Sequence, residues 1–166
     1  MIMSKFSLFP LGLILVVMAL SSCCEKKVYC TSSTLGFAFT GFPRSEVRSF
    51  TLKRFYKGDQ FGQVLDSAQF IYYGTAPVTA RPDTLPFSDY RTVGNLKGIT
   101  IGNDWAIYLP ATGKTYYITT IFDDEHKSEY VRCGDDLTTC TKKITNFSVN
   151  NDWQNGDWLY LQKGKW

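Results

Sequence analysis

Residues 123–126 read Asp123-Asp124-Glu125-His126, which gathers three carboxylates around the only histidine of this 166-residue chain. Those residue types suggest a hard-cation or zinc site, or a general acid–base pair. Their spacing argues against both. Successive side chains of an extended segment point to opposite sides, so four in a row do not converge on one ion. The spaced oxygen ligands of a calcium loop are also missing, and Asp135 and Asp136 join the group only if two loops share one end of the molecule. With one imidazole and no Gly-x-Ser-x-Gly or Ser-x-x-Lys pattern, a serine or cysteine nucleophile lacks its base. Carboxylates placed in hairpin loops of a small domain lack the cleft that glycoside hydrolysis needs. These residues therefore read as solvated turns. No metal site, no cofactor and no enzymatic activity are expected.

The five cysteines carry the remaining reactive chemistry. Cys133 and Cys140 enclose Gly134-Asp135-Asp136-Leu137-Thr138-Thr139, a turn-rich loop whose ends meet easily, and this pair is the expected disulfide. A loop so short contributes less than the roughly 3 kcal/mol of a 15-residue loop. Cys24 and Cys30 either pair with each other or leave Cys30 to staple the first strand to the body.

Cys23 stands apart because it ends Leu20-Ser21-Ser22-Cys23, the close of an apolar stretch that follows Lys5 and runs from Leu8 to Leu20. A membrane span needs about 20 apolar residues, and this stretch is shorter and interrupted by Pro10. A charged start, an apolar centre and small residues at the end make a secretory leader, residues 1–22. Its last four residues resemble the lipobox of bacterial lipoproteins. That resemblance implies cleavage before Cys23 and acylation of Cys23 with palmitate-like chains, each buried methylene contributing about 0.8 kcal/mol to membrane attachment. Leader and domain style together resemble small lipoproteins of the Bacteroidota type, in which an acidic cluster after the lipidated cysteine accompanies surface export. Here only Glu25 is acidic, and Lys26 and Lys27 follow it. The resemblance thus implies an outer-membrane anchor with the domain facing the periplasm, the cell surface being the alternative.

The chain carries a formal charge of +3, and loss of Lys5 with the leader leaves +2. Scattered lysines and arginines without a stripe exclude the footprint of a nucleic-acid binder. Expected partners are the membrane, through the lipid, and a glycan or another envelope protein. Aromatic residues make up 16% of the chain, and Tyr72, Tyr117, Trp153 and Trp158 are the candidate ligand-stacking rings. A carbohydrate-binding or adhesin-like module requires at least two such rings coplanar on one sheet face. Asp66-Ser67-Ala68 and Asp83-Thr84-Leu85 resemble the Asp-Ser/Thr-apolar acceptor for O-glycosylation in secreted Bacteroidota proteins, which implies Ser67 and Thr84 as modification sites. The alternative is that Asp followed by Ser or Thr simply builds turns.

What must position these residues is a set of short strands. Residues 23–33 read as a polar tether, and residues 34–166 as one domain. Alternation over Leu35–Phe39, Val47–Tyr56, Trp105–Leu109, Tyr116–Phe122, Ile144–Val149 and Trp158–Gln162 has the period of two that marks a half-buried strand. Shorter candidates are Gln63–Asp66, Gln69–Tyr73 after a break at Ser67-Ala68, Tyr90–Val93 and Ser128–Cys133. Leu109-Pro110-Ala111-Thr112-Gly113 matches the sorting signal of sortase substrates, but a sorting signal precedes an apolar C-terminal tail, whereas strand-patterned sequence follows here. It reads as a hairpin loop. Without a helical period after the leader, the expected fold is an all-β antiparallel sandwich of seven to nine strands, immunoglobulin-like or transthyretin-like.

Overall fold

The computed structural model describes residues 25–73, 84–124, 128–132 and 139–166. Among them run thirteen strands: β1 Glu25–Ser32, β2 Gly36–Thr40, β3 Ser49–Tyr56, β4 Val64–Tyr72, β5 Thr84–Pro86, β6 Tyr90–Val93, β7 Asn103–Leu109, β8 Lys114–Asp123, β9 Ser128–Arg132, β10 Cys140–Lys142, β11 Ile144–Val149, β12 Asp152–Asn155 and β13 Trp158–Gln162. The main sheet is antiparallel and seven-stranded, in the order β12-β11-β8-β7-β3-β4-β6. A three-stranded sheet β13-β2-β5 supplies the second layer of a β-sandwich, and a third sheet, β10-β1-β9, completes the fold.

Alternation explains the layers. Phe50 and Leu52 of β3, Phe70 of β4, Trp105, Ile107 and Leu109 of β7, and Tyr116 and Ile118 of β8 are all buried in one cluster with Phe37 and Phe39 of β2 and Leu159 and Leu161 of β13. Each such side chain contributes roughly 1.5–3 kcal/mol on leaving water. Phe50 and Phe70 are cross-strand partners and stack at 4.9 Å with 3° between their planes. Phe37 and Phe39 meet Phe50 edge-on at 5.5 and 5.4 Å. Two of the polar atoms that aromatic burial brings inside find partners, whereas the Tyr116 hydroxyl is buried without one. Trp105 Nε1 donates to the Thr100 carbonyl at 2.9 Å, and the Tyr90 hydroxyl donates to the Val47 carbonyl at 2.7 Å.

The hairpin read from Leu109–Gly113 joins β7 to β8, with a turn bond from Thr112 N to Leu109 O at 3.2 Å and Gly113 at φ 68°. Four expectations need correction. The strands outnumber seven to nine because β5, β10 and β12 are only three, three and four residues long, too short to show a period. Two pairings, β1 with β10 and β13 with β2, are parallel. The break expected at Ser67-Ala68 is absent, and β4 runs through it. Ala68 faces inward opposite Leu52, and Gly94 packs against it so closely that a Cβ on Gly94 would lie 3.0 Å from the Ala68 Cβ. Finally, the polar segment taken for a tether forms β1 from Glu25 onward. It is held by backbone ladders on both edges and buries only Val28, so its composition carries no amphipathic signal.

The expected Cys133–Cys140 disulfide is also corrected. Cys140 is bonded to Cys30, 110 residues earlier. Parallel pairing of β1 with β10 makes these two residues register partners, with Cα atoms 4.5 Å apart. Proximity in the sheet outweighs proximity in sequence. The alternative role for Cys30, a staple from the first strand to the body, is the one the fold uses. Cys133, like Cys24, lies outside the described residues.

Candidate functional site

The acidic run at the end of β8 is structural where it is described. Asp123 Oδ2 accepts from Ser32 Oγ at 2.5 Å and pairs with Lys142 Nζ at 3.0 Å, which ties β8 to both β1 and β10. Burial opposes the charge on Asp123, yet the Ser32 hydroxyl and the Lys142 ammonium outweigh it and hold the carboxyl below its ordinary range. Asp124 Oδ2 accepts from Lys143 N at 3.2 Å. Glu125, His126, Asp135 and Asp136 fall outside the described residues, among which no group of three or more potential ligands gathers to hold a metal ion.

Ser67 is exposed, but it lies inside paired strand β4 opposite Lys53 instead of in a turn. Asp66 beside it accepts from the Ser67 N–H at 2.8 Å and faces Arg54 at 3.8 Å. Thr84 opens β5 and is half-buried. Cys23, the expected acylation site, lies outside the described residues.

The four candidate stacking rings are dispersed. Tyr72 is half-buried, edge-on to Tyr90 at 5.6 Å and beneath Arg44 at 5.9 Å. Trp158 lies over the backbone of β2, where a Cβ on Gly36 would meet its ring at 2.1 Å, and it neighbours Tyr160 at 6.3 Å. Trp153 of β12 stands 6.0 Å from Phe122 at a tilt of 51°, and Tyr117 of β8 stands 4.3 Å from Phe61 at 47°. None of these exposed pairs is coplanar, so the flat platform expected of a carbohydrate module does not form from them.

A hollow forms instead. The turn after β3, residues 57–62, folds over the outer face of the main sheet. There Phe61 packs edge-on against Phe55 at 5.1 Å and against Tyr117, the cross-strand partner of the buried Ala106. Beside the packed rings of Phe61 and Tyr117 opens a hollow of about 270 Å³, rimmed by Thr115, Thr119, Asn150 and Asn151. Asn150 is fixed at two points, since its N–H donates to Tyr117 O and its Oδ1 accepts from Tyr117 N, both at 2.8 Å. A second hollow of about 300 Å³ adjoins it, sharing Phe61 and Thr119 and adding Lys57 and Asp104, whose carboxylate accepts from Gly58 N at 2.7 Å.

Backbone strain concentrates at the same place. The non-glycine residues with φ in the left-handed region are Gln60, Phe61, Thr120, Asn150 and Asn151, at 47–68° among the described residues, and all five line these two hollows. Asn150-Asn151 is the tight turn from β11 to β12, a place where asparagine takes positive φ at little cost. Thr120 sits where the β8–β11 register shifts, so a bulge re-aims the side chains around it. A β-branched residue and a bulky aromatic in this conformation cost about 1–3 kcal/mol each, a cost usually retained where it shapes a site. Sequence reading picked out Tyr117 but missed Phe61, Thr119 and Asn150. The Asn-Asn dipeptide between two alternating segments was the signal available for the last.

A further hollow, about 460 Å³, opens beside Trp158, with Phe87 and Gly36 on its walls and Lys143 and Asp157 at its rim. Among the described residues of its lining, Asp157 is the only carboxylate.

Comparisons with protein-family models, with curated proteins and with solved structures find no match. Among the described residues, no helix is long and apolar enough to cross a membrane.

Proposed function

We propose that this chain is a lipid-anchored lipoprotein of the bacterial envelope, held by acyl chains on Cys23 in the outer membrane with its domain facing the periplasm. Its role there is non-catalytic, structural or ligand-binding. The observation that carries this reading is the Cys30–Cys140 bond, because disulfides persist in oxidising compartments beyond the inner membrane and are rare in the cytosol. The lipobox at Leu20–Cys23 supplies the anchor.

The start of the fold suits such an anchor. β1 begins at Glu25, so little chain separates Cys23 from the sheet. Across β1 and β9, Tyr29 and Tyr130 are 72% and 66% exposed, the two most exposed large apolar side chains among the described residues. Lys27, the cross-strand partner of Tyr130, has its ammonium 5.2 Å from the Tyr29 ring and 5.8 Å from the Tyr130 ring. Tyrosine and lysine together favour the headgroup layer, where a ring finds apolar contact and a cation finds anionic lipid.

The test is the full chain with Cys23→Ala, expressed in a bacterial host and followed by palmitate labelling and membrane fractionation. The native chain is expected to take label and partition with membranes, and the variant to lose both. Unchanged labelling or partition in the variant refutes the reading.

A further inference from the structure

We propose that the hollow lined by Phe61 and Tyr117 binds the terminal ring of a neutral saccharide. A pyranose presents C–H groups on its faces and hydroxyls around its edge, so its site needs aromatic surface and mixed hydrogen-bonding groups together. This hollow has both. Phe61 and Tyr117 form its walls, and Thr115, Thr119, Asn150 and Asn151 line the rest. Threonine hydroxyls and carboxamides each donate and accept, as a hydroxyl ligand requires.

The charge of the lining narrows the class. None of these six residues is charged, so a phosphate or carboxylate ligand would lose water without gaining a cation, at a large cost. A wholly apolar ligand would strand the carboxamides in the same way. The shape narrows it further. The two rings pack on each other with centroids 4.3 Å apart and a tilt of 47°, so they offer one bent aromatic wall, unlike the flat strip along which a polysaccharide chain lies. About 270 Å³ is below the usual range of pockets for larger ligands, which begins near 300 Å³, and has room for a single sugar ring.

The rim is also pre-organised. Tyr117 N holds Asn150 Oδ1, which fixes the orientation of the carboxamide and leaves its N–H2 donors for a ligand. The left-handed backbone of Phe61, Asn150 and Asn151 sets the lining before any ligand arrives. Groups already held in place lose little freedom on binding. The site lies away from the anchored edge, since Tyr117 is six residues along β8 from Asp123, where β1 docks, roughly 20 Å at the rise of a strand. The proposal does not depend on lipidation.

The experiment uses the full chain purified in a detergent without a sugar head group. It measures saturation-transfer difference spectra and calorimetric titrations with the methyl glycosides of glucose, galactose, mannose and N-acetylglucosamine, and with glucuronic acid. At least one neutral glycoside is expected to receive saturation at its ring C–H protons and to bind with a dissociation constant on the order of 1 mM or below. Tyr117→Ala is expected to weaken that binding about tenfold and Thr119→Val about threefold, while Tyr160→Ala on β13 leaves it unchanged. Thr119→Val keeps the side-chain shape and decides the matter if Tyr117→Ala does not fold. Absence of transfer to all four glycosides at roughly 10 mM overturns the proposal. So does binding that survives both substitutions in folded protein, or glucuronic acid binding as tightly as the best neutral glycoside.

Discussion

Replacing both Cys30 and Cys140 by alanine should destabilise the domain by an amount that reports which cysteines are joined. The bond spans 110 residues. In the chain-entropy treatment, closing a loop of that length removes about 16 cal/mol/K from the unfolded chain, or about 4.8 kcal/mol at 25 °C. A bond between Cys133 and Cys140 would span seven residues and remove only about 2.4 kcal/mol by the same formula. Unfolding entropy near 2.1 cal/mol/K per residue over the 144 residues from Cys23 to Trp166 is about 0.3 kcal/mol/K, so the two cases correspond to falls in Tm of about 16 °C and about 8 °C. Strand β1 in the variant is still held by its ladders to β9 and β10 and by Ser32 on Asp123, so the loss falls mainly on the unfolded state. The assay is calorimetric or circular-dichroism melting of the full chain, compared with Cys133→Ala, which is expected to leave Tm unchanged. Peptide mapping without reductant accompanies it. A fall of under about 5 °C in the double variant, or a Cys133 peptide linked to Cys140, refutes the reasoning.

Three further perturbations follow from side-chain contacts. Gly36→Ala puts a methyl group into the Trp158 ring and should cost about 1–3 kcal/mol, seen as a lower denaturant midpoint with a shift in tryptophan fluorescence; an unchanged midpoint counts against that packing. Tyr90→Phe leaves the Val47 carbonyl buried without its donor and should cost about 1–3 kcal/mol in the same assay. Burial above all, with the nearby Tyr72 and Asp89, holds the Tyr90 hydroxyl proton well above the ordinary tyrosine range, so its ultraviolet ionisation signal should appear only on unfolding. Because Asp123 has its carboxyl pKa lowered in the folded state, its contribution is present above the ordinary carboxylate value of about 3.8 and fades as pH falls through the folded value. Asp123→Asn should flatten stability against pH across that acid window, and an unaltered slope would show that the Ser32 and Lys142 contacts contribute nothing there.

Much of this protein follows from the local pattern of its residues. Alternation at Phe50 and Leu52, at Trp105, Ile107 and Leu109, and at Leu159 and Leu161 decides which faces are buried, because a strand turns successive side chains to opposite sides whatever surrounds it. The hairpin between β7 and β8 is likewise local, written in Pro110 and Gly113. The tertiary structure alone decided what depends on strands distant in sequence. The partner of Cys140 is chosen by the parallel register of β1 and β10, and the polar residues of β1 become a strand only because backbone edges wait on both sides. The hollow is of the same kind: Phe61, Tyr117 and Asn150 come from three separate segments, and each has an ordinary local explanation until the turn after β3 closes over the sheet. Periodicity reports the burial of a face, whereas pairing and cavity shape depend on which edges and rims meet in space.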